Sequence, residues 1–216
     1  MSLLDLITGS TGNQVAEQVE NKFGISKNQI IALLVVAAPL VISYLKKKSE
    51  NAEEADKLNA TLDKHHDGSI LNNPAQALDR EQEGNSILDH IFGGNKANVE
   101  NQLSANTGIS IDKIGPVLAT LAPVIMGYIG QQKQASNVNS GGGLGDLLGG
   151  ILGGSAQEAQ ASNNPLSDIL GSVIGGATQS SGGGLGDILG SVLGGGNQQK
   201  QSEGGLGGLL GSIFGK

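Results

Sequence analysis

The 216 residues include no cysteine, which excludes disulfide staples, thiol nucleophiles and thiolate metal sites. Aromatic residues are almost as scarce: only Phe23, Tyr44, Phe92, Tyr128 and Phe214 are present. The core must therefore be built from Leu, Ile, Val and Ala, which suit close helix packing. The same scarcity removes the stacking platforms that single-stranded nucleic acid needs. Cations are outnumbered, with 13 Lys and Arg against 20 Asp and Glu and a net charge of −7. A phosphate-backbone partner is thus excluded, and no nucleic acid is expected. The one basic run, Lys46-Lys47-Lys48, meets an acidic stretch from Glu50 to Asp56 and reads as a solvated helix end favoured by the helix dipole. The opening MSLLDLITGS lacks a basic leader and carries Asp5 inside its apolar stretch, so it does not read as a secretory signal. The expected compartment is the cytoplasm.

Glycine is abundant but unevenly placed. Of 36 glycines, 25 lie between Gly141 and Gly215. The composition divides the chain into a head, 1–130, large enough to bury a core and fold alone, and a low-complexity tail, 131–216. Within the head, residues 3–45 align without gaps on 87–129 at a constant offset of 84. Leu4/Leu88, Asp5/Asp89, Gly9/Gly93, Gly24/Gly108, Ile25/Ile109, Ser26/Ser110, Pro39/Pro123 and Tyr44/Tyr128 are identical pairs.

Each copy reads as three helices. The first is a short apolar turn, Leu3–Ile7 or Ile87–Phe92, stopped by Gly9 or Gly93. The second is amphipathic, with Val15, Val19 and Phe23 (Val99 and Leu103 in the second copy) at helical spacing. Gly24 and Gly108 stand where a left-handed C-terminal cap is needed. Ser26 with Gln29 forms a capping box for the third helix. Those third helices, 30–45 and 114–130, are the most apolar segments. At 16 and 17 residues they fall short of the roughly 20 that a bilayer span requires, so they are expected to pack together in a bundle centre, related by a pseudo-twofold axis. The linker, 46–86, is polar and partly helical; Asn51 caps one helix and Pro74 starts another. The expected fold is all-α: two three-helix repeats joined by a helical linker, followed by a flexible tail with short amphipathic helices.

Three phrases, LDKHHDGSILNN (62–73), GNSILDHIFGG (84–94) and LAPVIMGYIG (121–130), together resemble the bacterial family catalogued as domain of unknown function 937, akin in style to the YidB-like proteins. The resemblance covers nearly all of 1–130. It implies an all-helical fold, often with a glycine-rich tail, and brings no activity, cofactor or catalytic residue.

All three histidines lie in these phrases. His65, His66, Asp67 and His90 are the candidate ligands for Zn²⁺ or another divalent ion, since imidazole and carboxylate are both good donors. Their spacing matches no closed metal motif. The favoured reading makes Asp67-Gly68-Ser69 a turn and the histidines helix-end residues, with no cofactor. No G-x-S-x-G elbow or phosphate loop occurs.

The tail writes one pattern four times: 144–154, 166–176, 185–195 and 206–216. Each copy carries apolar residues at i, i+3, i+4, i+7 and i+8 and small residues four apart. Leu144, Leu148, Ile151, Leu185, Leu189, Val192, Leu206, Leu210 and Ile213 are the candidate interaction residues. Interior glycine costs about 1 kcal/mol per position, so a lone copy is expected to become helical only against something apolar: another copy, a groove on the head, a partner protein or a lipid surface. Too few Lys and Arg flank the stripe to favour the membrane. The expected role is a non-enzymatic interaction protein, with a metal-binding protein or enzyme, or a peripheral membrane protein, as alternatives.

Overall fold

A computed structural model of the chain describes residues 1–161. Eight α-helices and no strand are found among the described residues: α1 (Leu3–Thr8), α2 (Ser10–Phe23), α3 (Lys27–Ser49), α4 (Ala52–His65), α5 (Glu81–Phe92), α6 (Lys96–Thr107), α7 (Ile111–Ala135) and α8 (Gly141–Ala161). Two 3-10 turns, Ser69–Asn72 and Pro74–Arg80, connect α4 to α5. The fold is all-α.

Local chemistry explains the boundaries. At α1, Ser2 and Asp5 cap each other reciprocally, the Asp5 amide donating to Ser2 Oγ and the Ser2 amide to Asp5 Oδ2. This satisfies two otherwise orphaned amides. Gly24 and Gly108 end α2 and α6 in the left-handed conformation, at φ 62° and 68°, a region only glycine enters at little cost. Ser26 and Ser110 follow as the N-caps of α3 and α7, which begin 84 residues apart. Ser26 accepts the Gln29 amide, but the Gln29 side chain turns to the Ser26 hydroxyl and to the Gly108 carbonyl. Asn51 accepts the amides of Glu53 and Glu54 at the start of α4.

α3 and α7 run to 23 and 25 residues, longer than their apolar runs. Both are long and apolar enough to cross a membrane by length and composition alone, so length does not exclude a span. The helices extend because polar residues at each end, such as Lys27, Lys46–Lys48, Asp112 and Gln131–Gln134, continue the helix beyond the greasy stretch. Burial distinguishes them further: 72% of the most apolar window of α3 and 83% of that of α7 lie inside the bundle.

The expectation that these two helices chiefly shelter each other needs correction. They touch only briefly. α7 is covered mainly by α5, with the second 3-10 turn and α6 beside it; α3 is covered mainly by α8 and α2. Glycine sets the first of these pairings. A Cβ on Gly84 of α5 would stand 1.7 Å from the Ala119 carbonyl oxygen of α7, so the backbones meet where only hydrogen fits. The packed helices also continue past residue 130, the expected end of the head: α7 ends at Ala135, and α8 lies against α3 and α4. Among the few aromatic residues, Tyr44 and Phe92 join α3 to α5 edge to face, with ring centroids 5.0 Å apart.

Candidate functional site

Two features stand out as places where another molecule could be held. The first is a cleft of about 650 Å³ between α4 and α5. Residues at helical spacing line both walls: Leu58, Thr61 and His65 from α4, and Glu83, Ile87, His90 and Ile91 from α5. Leu45 of α3 and Met126 of α7 also line it, and His66, just past the end of α4, faces it.

The geometry at His66 follows from the turn that ends α4. Gly68 adopts φ +93° and packs over Gln131. The His66 carbonyl presses on α7 so closely that a Cβ on Gly130 would come within 1.6 Å of it. LDKHHDGSILNN therefore docks closely on LAPVIMGYIG: Gly130 makes room for the His66 backbone and Gly127 for the Ile70 side chain. His66 is only 2% exposed. Burial pushes its imidazole down to about pKa 4; the Glu83 carboxylate pulls the other way, and the Arg80 guanidinium adds to the depression. Glu83 Oε1 lies 3.5 Å from His66 Nε2, but that carboxylate is already engaged by Arg80. Arg80 Nε donates to Oε2 at 2.6 Å and Nη2 to Oε1 at 3.0 Å, while Nη2 also donates to the His65 carbonyl. His66 Nδ1 is buried without a hydrogen-bond partner.

The four expected ligands are not assembled as one set. His65, His66 and His90 share the cleft, but His90 is exposed and faces a different carboxylate, with Nε2 3.5 Å from Glu54 Oε2. Asp67 points elsewhere. Its Oδ1 accepts the Ser69 amide at 2.9 Å, and that hydrogen bonding holds its carboxyl below the usual range. Among the described residues, no three His, Asp or Glu side chains are gathered closely enough to hold a metal ion. The sequence reading missed Arg80, which ends the second 3-10 turn at the N-cap of α5; its spacing of three from Glu83 is the signal that marks the pair.

The second feature is the seat of α8. Leu144, Leu148 and Leu152 are buried, at 0%, 0% and 7% exposure. Leu147 and Ile151 are half-buried on the flank, beside Leu3, Tyr128 and Gln132. The small residues face the head. A Cβ on Gly141 would stand 2.5 Å from Asp56 Oδ1 and 2.7 Å from the Ala55 carbonyl carbon; one on Gly145 would stand 3.2 Å from Ser49 Oγ, and one on Gly149 3.5 Å from Lys46 Cε. Helix α8 thus lies in a groove between α3 and α4, its backbone meeting that of α4 at Gly141, while Gly145 and Gly149 face side-chain tips of α3. Three buried leucines contribute about 5–9 kcal/mol. Five interior glycines, Gly145, Gly149, Gly150, Gly153 and Gly154, cost about 5 kcal/mol against Ala. The helix therefore depends on its groove. Of the expected interaction residues, Leu144 and Leu148 are in the groove and Ile151 on its flank; Leu185, Leu189, Val192, Leu206, Leu210 and Ile213 lie outside the described residues.

Compared with known proteins, residues 5–132 match the family model described as "Bacterial protein of unknown function (DUF937)". No curated protein matches the chain, and no solved structure does.

Proposed function

The chain belongs to the DUF937 family of bacterial proteins of unknown function, and on that premise we propose that it is a non-enzymatic interaction module. Its head offers a groove for an amphipathic, glycine-faced helix, and its tail supplies repeated ligands of that kind for self-association. One observation supports this above the rest: the first copy of the tail motif lies in the α3–α4 groove with Leu144 and Leu148 fully buried. An apolar stripe written four times between Gln-, Ser- and Asn-rich spacers gives several weak ligands on one chain, and linking weak ligands multiplies avidity without any new contact. The acidic net charge disfavours an anionic lipid surface as the main partner.

Sedimentation velocity of the full chain over a wide concentration series tests the proposal. The mean mass is expected to rise with concentration. It should fall back towards the monomer when Leu185, Leu189, Leu206 and Leu210 are all replaced by Asp. A chain that stays monomeric throughout overturns self-association. Gain of helicity only on adding liposomes would put a membrane surface in its place.

A further inference from the structure

The four tail motifs are not equivalent as ligands for the α3–α4 groove. The discriminating position is the one Gly141 occupies, where α8 meets α4 and a side chain has no room: Asp56 Oδ1 and the backbone of Ala55 and Asp56 lie 2.5–2.7 Å from a Cβ placed there. In register, that position is Asn163 in the second motif, Gly182 in the third and Glu203 in the fourth. Seated in that register, Asn163 would drive a Cβ into the α4 backbone, and Pro165 would fall where Gly143 stands. Glu203 would do the same and add a negative charge beside Asp56, in the turn that also holds Glu53 and Glu54.

The third motif fits throughout. It repeats the first from Ser140 onward as SGGGLGD against SGGGLGD. Gly182, Gly186 and Gly190 take the places of Gly141, Gly145 and Gly149; Leu185, Leu189 and Leu193 take those of Leu144, Leu148 and Leu152. The differences fall where they cost little. Ile188 and Val192 replace half-buried Leu147 and Ile151. Ser191 replaces Gly150, which has no heavy atom within 4 Å of its would-be Cβ.

We infer that residues 181–195 are a second ligand for the α3–α4 groove, interchangeable with α8, whereas the second and fourth motifs are not. The chain then carries two matched ligands and one seat. Whichever ligand is displaced is free to enter the groove of another copy, the low-cost exchange by which swapped assemblies form. This rests on the proposal that the tail motifs are ligands, and adds which of them the head accepts and why. In one chain α8 has the advantage of tether length. Five residues separate it from α7, while the third motif is about nine times farther along. At the −3/2 power of length this favours α8 by about 30-fold.

The absence of cysteine makes disulfide trapping in the full chain clean. Ser49→Cys sits opposite Gly145, close enough for a Cys there to bridge. Paired with Gly145→Cys it reports α8; paired with Ser167→Cys, Gly186→Cys or Gly207→Cys it reports the second, third and fourth motifs. Cross-linking through Gly186→Cys is expected about 30-fold slower than through Gly145→Cys. A clash of about 1.4 kcal/mol imposes tenfold, against which the second motif's shorter tether recovers about twofold; the Gly186→Cys rate should thus still be about fivefold or more above that of Ser167→Cys, and more than tenfold above that of Gly207→Cys. Adding Gly141→Glu, the residue that the fourth motif carries at this position, should unseat α8 and raise the Gly186→Cys rate; Gly141→Asn should do likewise. If the Gly145→Cys bridge fails, docking itself and the proposed function fall together. If it forms while Gly186→Cys is no faster than Ser167→Cys and Gly207→Cys, or does not respond to either Gly141 change, this inference alone falls.

Discussion

Acid should loosen the head through His66. The imidazole is 2% exposed, its Nδ1 has no partner, and burial holds its pKa at about 4 against an ordinary 6.5. In the unfolded chain it takes a proton near its ordinary value. Between about pH 6.5 and 4 the unfolded state therefore binds a proton that the folded state refuses, and stability falls as pH falls through that window. The groups facing it divide: Glu83 and Asp67 favour the proton, Arg80 and His65 oppose it, and desolvation outweighs all four. Going from pH 7 to pH 5 should cost about 2 kcal/mol. Urea unfolding of the full chain, followed by circular dichroism at both pH values, measures it. The variant His66→Leu, of similar size and without a titrating group, should lose most of this difference. Replacing exposed His90 by Gln should leave it in place. If His66→Leu keeps the same loss on acidification, the dependence belongs to other groups and the account of His66 as a buried neutral imidazole is wrong.

Two further substitutions test the packing itself. Gly84→Ala should destabilise the head by about 3 kcal/mol in urea unfolding, because the new methyl meets the Ala119 carbonyl at an interface of two backbones. Gly150→Ala, on the open side of α8, should instead stabilise by about 0.5–1 kcal/mol through helix propensity; opposite signs from the same chemical change are the check. Leu148→Ala, at a fully buried position, should cost about 2–5 kcal/mol. It should also speed hydrogen exchange in α8 before the rest of the bundle, and protection in α8 unchanged by the substitution would refute the groove as its support.

Much of this architecture is written locally. Gly24 and Gly108 announce left-handed caps, Ser26 and Asn51 announce helix starts, and Asp67-Gly68-Ser69 announces a turn; each depends on the residue and its near neighbours, so each is visible in one dimension. The pairing of elements is not. Periodicity says that α7 is apolar, but its cover comes from α5 because Gly84 lets the backbones meet at Ala119, a match between residues far apart in the chain. Candidate ligands show the same limit. Three histidines in two short phrases look like a set, but whether they converge depends on which side of α4 and α5 each occupies, and here the helices hand His66 to Glu83 and His90 to Glu54.

Helix α3 shows why the boundary between head and tail is not where composition changes. From Leu33 to Ser43 every residue is buried, so a helix apolar all round needs cover on every side. Its brief meeting with α7 and its packing on α2 leave a face open, and α4 borders that face without filling it. Leucines at every fourth position on this helix have the right shape for such a slot: Gly141 lets the backbone sink against α4, and Leu144, Leu148 and Leu152 fill the groove. The sequence form of this fit is leucine at every fourth position behind a glycine at 141, the point where a side chain has no room. The compositional break at 130 thus separates two halves of one interface, and repetition of the inserted half further along the chain is what makes exchange between its copies physically reasonable.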